Sequence, residues 1–230
     1  MSGPFSNYWN SYTAGPPLVS SREGGTSATE VTHVIIAFLV LTFDFVLLYG
    51  GVAIYDLQTE LFLIGVAAAA ALSGFVAHEM AHKVSAQRRG YWAEFRLSVV
   101  GLLVSVVTAA FGFLFAAPGA TMIGGEADTD DMGRISLAGP ATNFAFAVAF
   151  LAGAFVVGVF PEGGLISFIL LFLAFVSAWF AAFNMIPIGP LDGAKVFRWS
   201  RGVWLVAFVV FAALAGLLYY IVNYAPLPTL

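Results

Sequence analysis

Long apolar runs constrain the fold of this sequence more than any other feature. Each has roughly the 20 residues that an α-helix needs to cross a hydrocarbon layer of about 30 Å. The runs do not alternate polar and apolar residues, as the strands of a membrane β-barrel do. The sequence therefore predicts an all-α polytopic membrane protein with about five to six transmembrane helices. The candidate spans are residues 33–55, 61–84, 97–117, 136–160, 165–187 and 203–224.

The composition agrees with a membrane protein and excludes several kinds of site. Charged residues make up 10% of the 230 residues, against about 25% in soluble globular proteins. Without cysteine, the chain has neither disulfides nor thiolate metal sites. The net charge of −4 argues against nucleic acid as a partner. We expect a polar N-terminal tail at 1–32, a single transmembrane domain at 33–224 and a C-terminal tail at 225–230.

The nine Lys and Arg residues predict how the chain crosses the membrane. If every apolar run crossed, the basic stretches 83–96 and 193–202 would lie on opposite sides, although such residues collect in cytoplasmic loops. If the run 97–117 enters and leaves on one side, all nine face the cytoplasm. We therefore expect a re-entrant segment over 97–123 and a cytoplasmic N-terminus at the cell membrane. An ordinary span with an atypical charge distribution remains the alternative.

The second apolar run ends in HEMAH, residues 78–82. On a helix, His78 and His82 lie on nearly the same face, with Glu79 beside them. In the HExxH pattern, two imidazoles bind Zn²⁺ and the glutamate is the general base for water that the metal activates. A chance match is the alternative, but ionisable groups in a membrane helix are costly and usually functional. The pattern therefore predicts a zinc site near the end of this helix.

Asp192 is the candidate for a third zinc ligand, since a catalytic site usually has three protein ligands and one open position. Pro187 and Pro190 end the preceding apolar run, and Gly193 allows a tight turn, so the carboxylate would be presented near a helix end. For Asp192 the alternative is a turn-forming aspartate before glycine.

Asp44 lies near the midplane of its span, and its role stays open between a contact with another helix and a polar interior.

The order of three motifs resembles the site-2 protease family of intramembrane zinc metalloproteases. The motifs are HEMAH, then GPATN at 139–143, then N-x-x-P-x-x-P-L-D-G at 184–193. The resemblance covers roughly residues 61–201. Many members of the family carry a regulatory PDZ or CBS domain, and we expect none in this sequence.

The resemblance implies a role for each matching residue. His78, His82 and Asp192 would bind one zinc ion per chain, and Glu79 would be the general base. Asn184 would lie close to the active site, where its amide could donate a hydrogen bond to the substrate or to an oxyanion. A membrane-inserted β segment would lie between the first two motifs, which agrees with the re-entrant segment expected from the charges.

The implied reaction is hydrolysis of peptide bonds in the transmembrane helices of a protein substrate, unwound locally near the cytoplasmic side of the lipid bilayer. An extended substrate could pair with a strand edge, and we expect this edge within GFLFAAPGATMI, residues 112–123. For Asn143 a hydrogen bond to a neighbouring helix is the alternative to a substrate contact. The predicted substrate contacts are Gly112, Phe113, Phe115 and Asn143.

Two non-enzymatic functions compete with this prediction. A catalytically silent zinc-binding protein should have lost Glu79, which is present. A metal transporter should repeat intramembrane ligands along a path, whereas the candidates here form one cluster. The sequence therefore favours an enzyme, and it leaves the substrate and the oligomeric state open.

Overall fold

Five membrane-length helices, two shorter helices and a two-stranded sheet make up the described part of the chain. The computed structural model describes residues 25–49, 56–115, 117–158 and 164–224. Helices α1, α2, α4, α5 and α7, defined below, are long and apolar enough to cross a membrane. The all-α polytopic prediction is confirmed, and the chain is a multi-pass membrane protein. The elements are α1 (Ala28–Tyr49), α2 (Leu57–Gln87), β1 (Trp92–Leu97), α3 (Val99–Ala110), β2 (Gly119–Gly124), α4 (Thr129–Val157), α5 (Gly164–Asn184), α6 (Asp192–Trp199) and α7 (Arg201–Tyr224).

Helix α1 begins five residues before the predicted span, inside what was expected to be the polar tail. Ser27 caps it, since its hydroxyl oxygen accepts a hydrogen bond from the Glu30 amide at 3.1 Å. Glu30 is buried and forms an ion pair with Lys83 of α2. The sequence predicts a tail here because these residues are polar. Their capping and ion-pair contacts form only when folding brings distant residues close. The predicted end of this span and the C-terminal tail lie outside the described residues.

A π-helical turn, Leu72–Val76, interrupts α2 just before HEMAH. The Ala77 amide donates to the carbonyl of Leu72, five residues back, so the regular α-helical bonding is broken there. Such a turn leaves carbonyl groups available to partners outside the helix. One such partner is a residue of the metal centre described below.

The two strands pair antiparallel, with Leu97 opposite Gly119 and Trp92 opposite Gly124. The chain between the strands therefore returns to its starting point. Helix α3, within that segment, has 12 residues, or about 18 Å, which is too short for a hydrocarbon layer of about 30 Å. This geometry agrees with the expected re-entrant segment, although strand structure is confined to β2 and to β1, which lies mostly before it.

Two glycines let this segment fold closely on itself. A Cβ on Gly101 would lie 1.8 Å from the carbonyl oxygen of Ala117, so α3 is packed directly against the returning chain. A Cβ on Gly119 would lie 2.3 Å from the carbonyl oxygen of Arg96. Only glycine permits such approaches of backbone to backbone, and they hold the segment beside β1.

The buried core has two main parts. One lies between α1, α2 and β1 and includes Leu41, Phe75 and Phe95. The other lies between α4, α5 and α7 and includes Ala147 and Leu218. Helix α5 contributes to both, and its small buried residues let neighbouring backbones approach, as is usual between membrane helices. These contacts bring the end of α2 against α4 and the start of α6.

Candidate metal centre

Two imidazole nitrogens and one carboxylate oxygen converge where α2, α4 and α6 meet. The Nε2 atoms of His78 and His82 are 3.0 Å apart, and the Asp192 Oδ2 atom lies 3.2 Å and 3.0 Å from them. All three residues are buried, with 4%, 6% and 7% of their surface exposed. The structure thus brings together the three residues that sequence analysis proposed as ligands.

The turn before α6 presents Asp192 to the two histidines. The chain reverses at Gly189, whose φ of +53° favours glycine. A Cβ on Gly193 would lie 2.1 Å from the carbonyl oxygen of Met185, so the start of α6 is pressed against the end of α5. Burial opposes the charge, but His82, His78 and Lys195 together hold the pKa of the Asp192 carboxyl well below its usual range. The side chain is therefore an ionised carboxylate.

Hydrogen bonds fix which nitrogen of each imidazole carries hydrogen. His82 Nδ1 lies 2.7 Å from the carbonyl oxygen of Ile135, which can only accept, so Nδ1 is the donor. Asn143 Nδ2 donates to the Ser73 and Gly74 carbonyls of the π-helical turn at 3.0 Å and 2.8 Å. Its Oδ1 atom therefore faces His78 Nδ1, at 2.5 Å, and accepts from it. Both Nε2 atoms then face Oδ2 of Asp192, and each offers a lone pair to a metal when it carries no proton.

Helix α4 packs one face against these histidines. Three residues spaced four apart lie on that face: Ile135, Gly139 and Asn143. The first and last orient the two imidazoles, and Gly139 lies between them. A Cβ on Gly139 would lie 2.4 Å from Nε2 of His82 and 2.6 Å from Nε2 of His78. The absent side chain leaves a cradle in front of the two nitrogens.

This cradle fits a metal ion. Two imidazole nitrogens and a carboxylate oxygen lie buried within 3.2 Å of one another and need positive charge among them, which a metal ion can supply in place of a proton. Two histidines and a carboxylate are a ligand set found in catalytic zinc sites, with zinc–nitrogen distances of about 2.0–2.1 Å. The second nitrogen of each imidazole is hydrogen-bonded, as is usual for metal-binding histidines. The residues present therefore suit zinc.

Glu79 lies beside the centre and contacts the sheet. Its Oε2 atom accepts hydrogen bonds from the Thr121 amide and hydroxyl, each at 2.9 Å. Its candidate ligand atom lies within 4.8 Å of those of His78 and His82. Oδ2 of Asp192 approaches both imidazoles more closely, so Glu79 is adjacent to the ligand triangle and not one of its corners. The Oε1 atom receives no hydrogen bond from the described residues.

The two asparagines named from the sequence have different surroundings. Asn143 was predicted as a substrate contact, but its side chain is wholly buried and bonded to α2, so the geometry favours the alternative of a bond to a neighbouring helix. Asn184 is partly buried and donates to the Phe180 carbonyl at 3.0 Å. An amide nitrogen carries two hydrogens, which leaves one for another acceptor. Its predicted role stays a prediction.

The predicted aromatic contacts lie in the loop between α3 and β2. Gly112 has a φ of +86°, and Phe113 and Phe115 are 58% and 43% exposed. The Phe115 ring meets that of Phe183 edge to face at 5.8 Å, beside Asn184. In the described part of the chain, neither Gly112 nor Phe113 is hydrogen-bonded to a residue of the metal centre. This loop is not a strand, so only the last residues of the predicted strand segment belong to β2.

Sequence analysis named Asn143 but missed the other residues that support this centre. The spacing of Ile135, Gly139 and Asn143 is the one sequence signal that could have indicated a shared helix face. The Ile135 carbonyl has no sequence signature, because every residue carries one. Thr121 reaches Glu79 only through strand pairing and the return of the chain after α3, which are not local properties.

Comparisons with known proteins bear on this site. The chain is 35% identical over 182 residues to "Putative zinc metalloprotease MJ0611" of Methanocaldococcus jannaschii, in an alignment that covers 78% of this chain and 89% of that protein. It is 34% identical over 149 residues to "Putative zinc metalloprotease Rip3" of Mycobacterium tuberculosis, which covers 63% of this chain and 34% of that protein. No protein-family model and no solved structure matches the chain.

The extent of the first match decides the family. The aligned region takes in most of this chain and nearly the whole of the Methanocaldococcus protein, and Rip3 is a site-2 protease family name. The multi-pass architecture and the buried His–His–Asp centre are what such an enzyme requires. The chain therefore belongs to the site-2 protease family of zinc metalloproteases.

Proposed function

We propose that this protein is an intramembrane zinc metalloprotease that cuts locally unwound transmembrane helices near the cytoplasmic side of the cell membrane. The observation that carries the proposal is the convergence of His78, His82 and Asp192 at the end of a membrane-length helix, with Glu79 beside them. One zinc ion per chain would be held by the first three. When bound, zinc supplies a Lewis acid that polarises a peptide carbonyl and activates water.

Glu79 is the proposed general base. Its Oε2 atom is held by Thr121, whereas Oε1 receives no hydrogen bond from the described residues and can face the reacting water. Oε1 takes a proton from water as its oxygen bonds to the peptide carbon. It then returns that proton to the leaving nitrogen as the carbon–nitrogen bond breaks. The net change is addition of one water across one peptide bond.

Asn184 is the proposed donor to the oxyanion or to the substrate backbone. It is the last residue of α5, close in sequence to the turn that carries Asp192. Its second amide hydrogen is available while the first binds the Phe180 carbonyl. Loss of one such donor costs a reaction about 10²–10³-fold in rate. We therefore expect a partial loss of activity in Asn184→Ala.

The proposed substrate binds β2 as an extended strand. A transmembrane helix bonds its own carbonyls, so the segment to be cut must unwind before water can attack it. Unwound backbone in a membrane needs new hydrogen-bond partners, and the free edge of a strand offers them. The exposed aromatic rings of Phe113 and Phe115 would flank the entering chain. The substrate is thus a membrane protein with a helix that is easily unwound.

A metal transporter is the less supported alternative. Across the described residues, the candidate metal-binding side chains form one cluster, made of His78, His82 and Asp192 with Glu79 beside them. A transport path would need further ligands at other depths of the membrane. A catalytically silent zinc protein would not need Glu79.

The test is a comparison of zinc content and cleavage in purified variants. We expect Glu79→Gln to keep about one zinc per chain and to cut a transmembrane peptide with a Gly–Pro helix break at least about 10²–10⁴-fold more slowly, as on loss of a general base. Asp192→Ala should lose both zinc and activity. Full activity in Glu79→Gln would overturn the proposed reaction, and normal zinc content in Asp192→Ala would remove Asp192 from the ligands.

The proposed orientation is tested by labelling. The chain has no native cysteine, so single cysteines at Ser85, Ala127 and Ser200 can be probed without background. A membrane-impermeant thiol reagent should miss all three in intact cells and reach them after permeabilisation. A cysteine at Gln58, an exposed residue at the other end of α2, is the matched control and should react in intact cells. Labelling of any of the three from outside would contradict this orientation.

A further inference from the structure

Thr121 presents its backbone amide on the outer edge of β2. It lies opposite Phe95 in the antiparallel pair. The Phe95 amide donates to Glu30 and the Thr121 amide to Glu79, at 3.0 Å and 2.9 Å, so both point away from the partner strand. This is the non-hydrogen-bonded type of pair, in which backbone groups of both residues face outward.

The outer edge of β1 is closed by side chains of α1 and α2. The Phe95 amide donates to Glu30, the Leu97 amide to His33 Nδ1 at 3.4 Å, and the Ala93 carbonyl accepts from Gln87 at 3.5 Å. Glu30 is itself held by an ion pair with Lys83. These side chains take hydrogen-bonding positions that another strand would need at this edge.

The outer edge of β2 is open apart from one residue. Gly119 and Ile123 share the outward orientation of Thr121, because backbone direction alternates along a strand. Within the described ranges, their outward amides and carbonyls bind no other group. At Thr121 the amide is taken by Glu79. A strand added to this edge would therefore meet the carboxylate of Glu79 at its centre.

Thr121 holds Glu79 with two separate donors, which are not equivalent. The amide belongs to the strand edge, so the carbonyl of an added strand can take it. The hydroxyl belongs to the side chain and is not part of the edge. Its single hydrogen is shared between Glu79 Oε2, at 2.9 Å, and the Glu79 backbone oxygen, at 3.0 Å. When a strand takes the amide, the hydroxyl still retains the carboxylate.

We propose that Thr121 is a positioning residue for Glu79, and that its hydroxyl keeps the carboxylate in place while its amide passes to the bound substrate strand. The inference rests on the proposed function, because it assumes that Glu79 is the base and that the substrate is extended. It adds that one residue of β2 connects substrate docking to the position of the base. Oε1, which Thr121 does not bind, stays free for the proton.

The test removes the hydroxyl and keeps the shape. Thr121→Val retains the β-branched side chain and the amide, so KM for the same Gly–Pro transmembrane peptide in phospholipid vesicles should stay unchanged. We expect kcat to fall roughly 10-fold or more, the effect of losing a hydrogen bond to a charged group. Zinc content should remain that of the wild type. Thr121→Ser should restore kcat, since it returns the hydroxyl.

Thr42→Val is the matched control. Thr42 is also buried, and its hydroxyl donates only to the Phe38 carbonyl of its own helix, at 2.8 Å. Its kcat should equal that of the wild type. A wild-type kcat in Thr121→Val would overturn the inference, as would equal losses in Thr121→Val and Thr121→Ser or a loss of zinc in Thr121→Val. Glu79→Gln distinguishes failure of this inference from failure of the proposed function. If Glu79→Gln is inactive while Thr121→Val has the kcat of the wild type, only the role of Thr121 is overturned.

Discussion

The last turns of α2 carry two pairs of ionisable residues, and the two neighbours of this helix bind them in different ways. His78 and His82 face α4, whereas Glu79 and Lys83 face the side of the sheet and α1. On the α4 side, each imidazole is fixed by a hydrogen bond at Nδ1 and faces the other ligand atoms with Nε2. Both side chains are buried, so neither nitrogen is left to bind solvent freely.

On the side of the sheet, the two residues of the pair differ from each other. Lys83 is buried and is bound to Glu30 and, at 2.8 Å, to Thr26. Glu79 is only partly buried, has no cationic partner within the described residues, and keeps one oxygen without a hydrogen bond. Its donors come from a strand whose edge is otherwise open.

One side of α2 therefore immobilises its two imidazoles, and the other side leaves one carboxylate oxygen of Glu79 free. A metal-binding site gains from groups that cannot move, since each ligand must keep its angle and its lone pair. A general base has to gain and lose a proton, so it needs an oxygen that is not already committed. Helix α4 provides the first condition and the open strand provides the second. Substitutions on the two sides should accordingly change different measurements.

The largest effect is expected from a single methyl group on the α4 side. Gly139→Ala would place a Cβ 2.4–2.6 Å from both Nε2 atoms, where a metal would have to approach. We expect zinc affinity to fall by more than the 10–100-fold that is roughly typical of losing an outer-shell partner. Zinc content and competition with a chelator measure this directly.

Gly153→Ala is the control for that substitution. It adds the same methyl to the same helix, but its Cβ would make only an ordinary contact with Leu170 at 3.5 Å. Its zinc affinity should match the wild type. Normal zinc affinity in Gly139→Ala would mean that the metal does not bind in front of the two Nε2 atoms, and the contrast between the two sides of α2 would lose its basis.

The contrast also explains which parts of the site the sequence could predict. His78, His82 and Asp192 are chemically distinctive, and their positions near the ends of apolar runs are enough to identify them as candidates. The supporting groups are ordinary: a carbonyl at Ile135 and a missing side chain at Gly139. Their function comes only from the contact of α4 with α2, which residue type does not reveal.

The same limit applies to the fold. The membrane spans were predictable because the length of an apolar run is a local property. The observed start of α1 differs from the predicted one because capping by Ser27 and the ion pair of Glu30 determine it. The π-helical turn was not predictable, because its freed carbonyls are satisfied by Asn143 from another helix. Strand β1 was not identified either, since its pairing partner lies beyond the whole of α3.

A second prediction concerns the buried ion pair on the other side. Lys83→Met leaves Glu30 without its cation, and breaking a buried pair in this way costs about 3–5 kcal/mol. We expect that loss in the free energy of unfolding, measured by denaturation in detergent. Adding Glu30→Gln should recover much of the stability, because no uncompensated charge then remains. The proposed zinc ligands are untouched in both variants.

Arg134→Met is the control for the ion pair. Arg134 pairs with Asp130 one turn away, and both side chains are about half exposed. An exposed pair of this kind contributes about 1 kcal/mol or less. If Lys83→Met is no less stable than Arg134→Met, then the Lys83–Glu30 pair does not fix α1 to the sheet, and the edge of β1 is not held closed as described.

The smallest effect is expected on the open edge of β2. Ile123→Pro removes one outward amide without breaking the pairing with β1, because proline is tolerated where the amide of an edge strand faces outward. One hydrogen bond contributes about 0.5–1.5 kcal/mol, so KM for the transmembrane peptide should rise roughly 2–10-fold, with zinc content unchanged. Ile123→Ala is the control, since it loses the same packing against Ala86 and Ile135 but keeps the amide. Equal KM values in the two variants would show that substrate does not pair with this edge, and Thr121 would then have no amide to exchange.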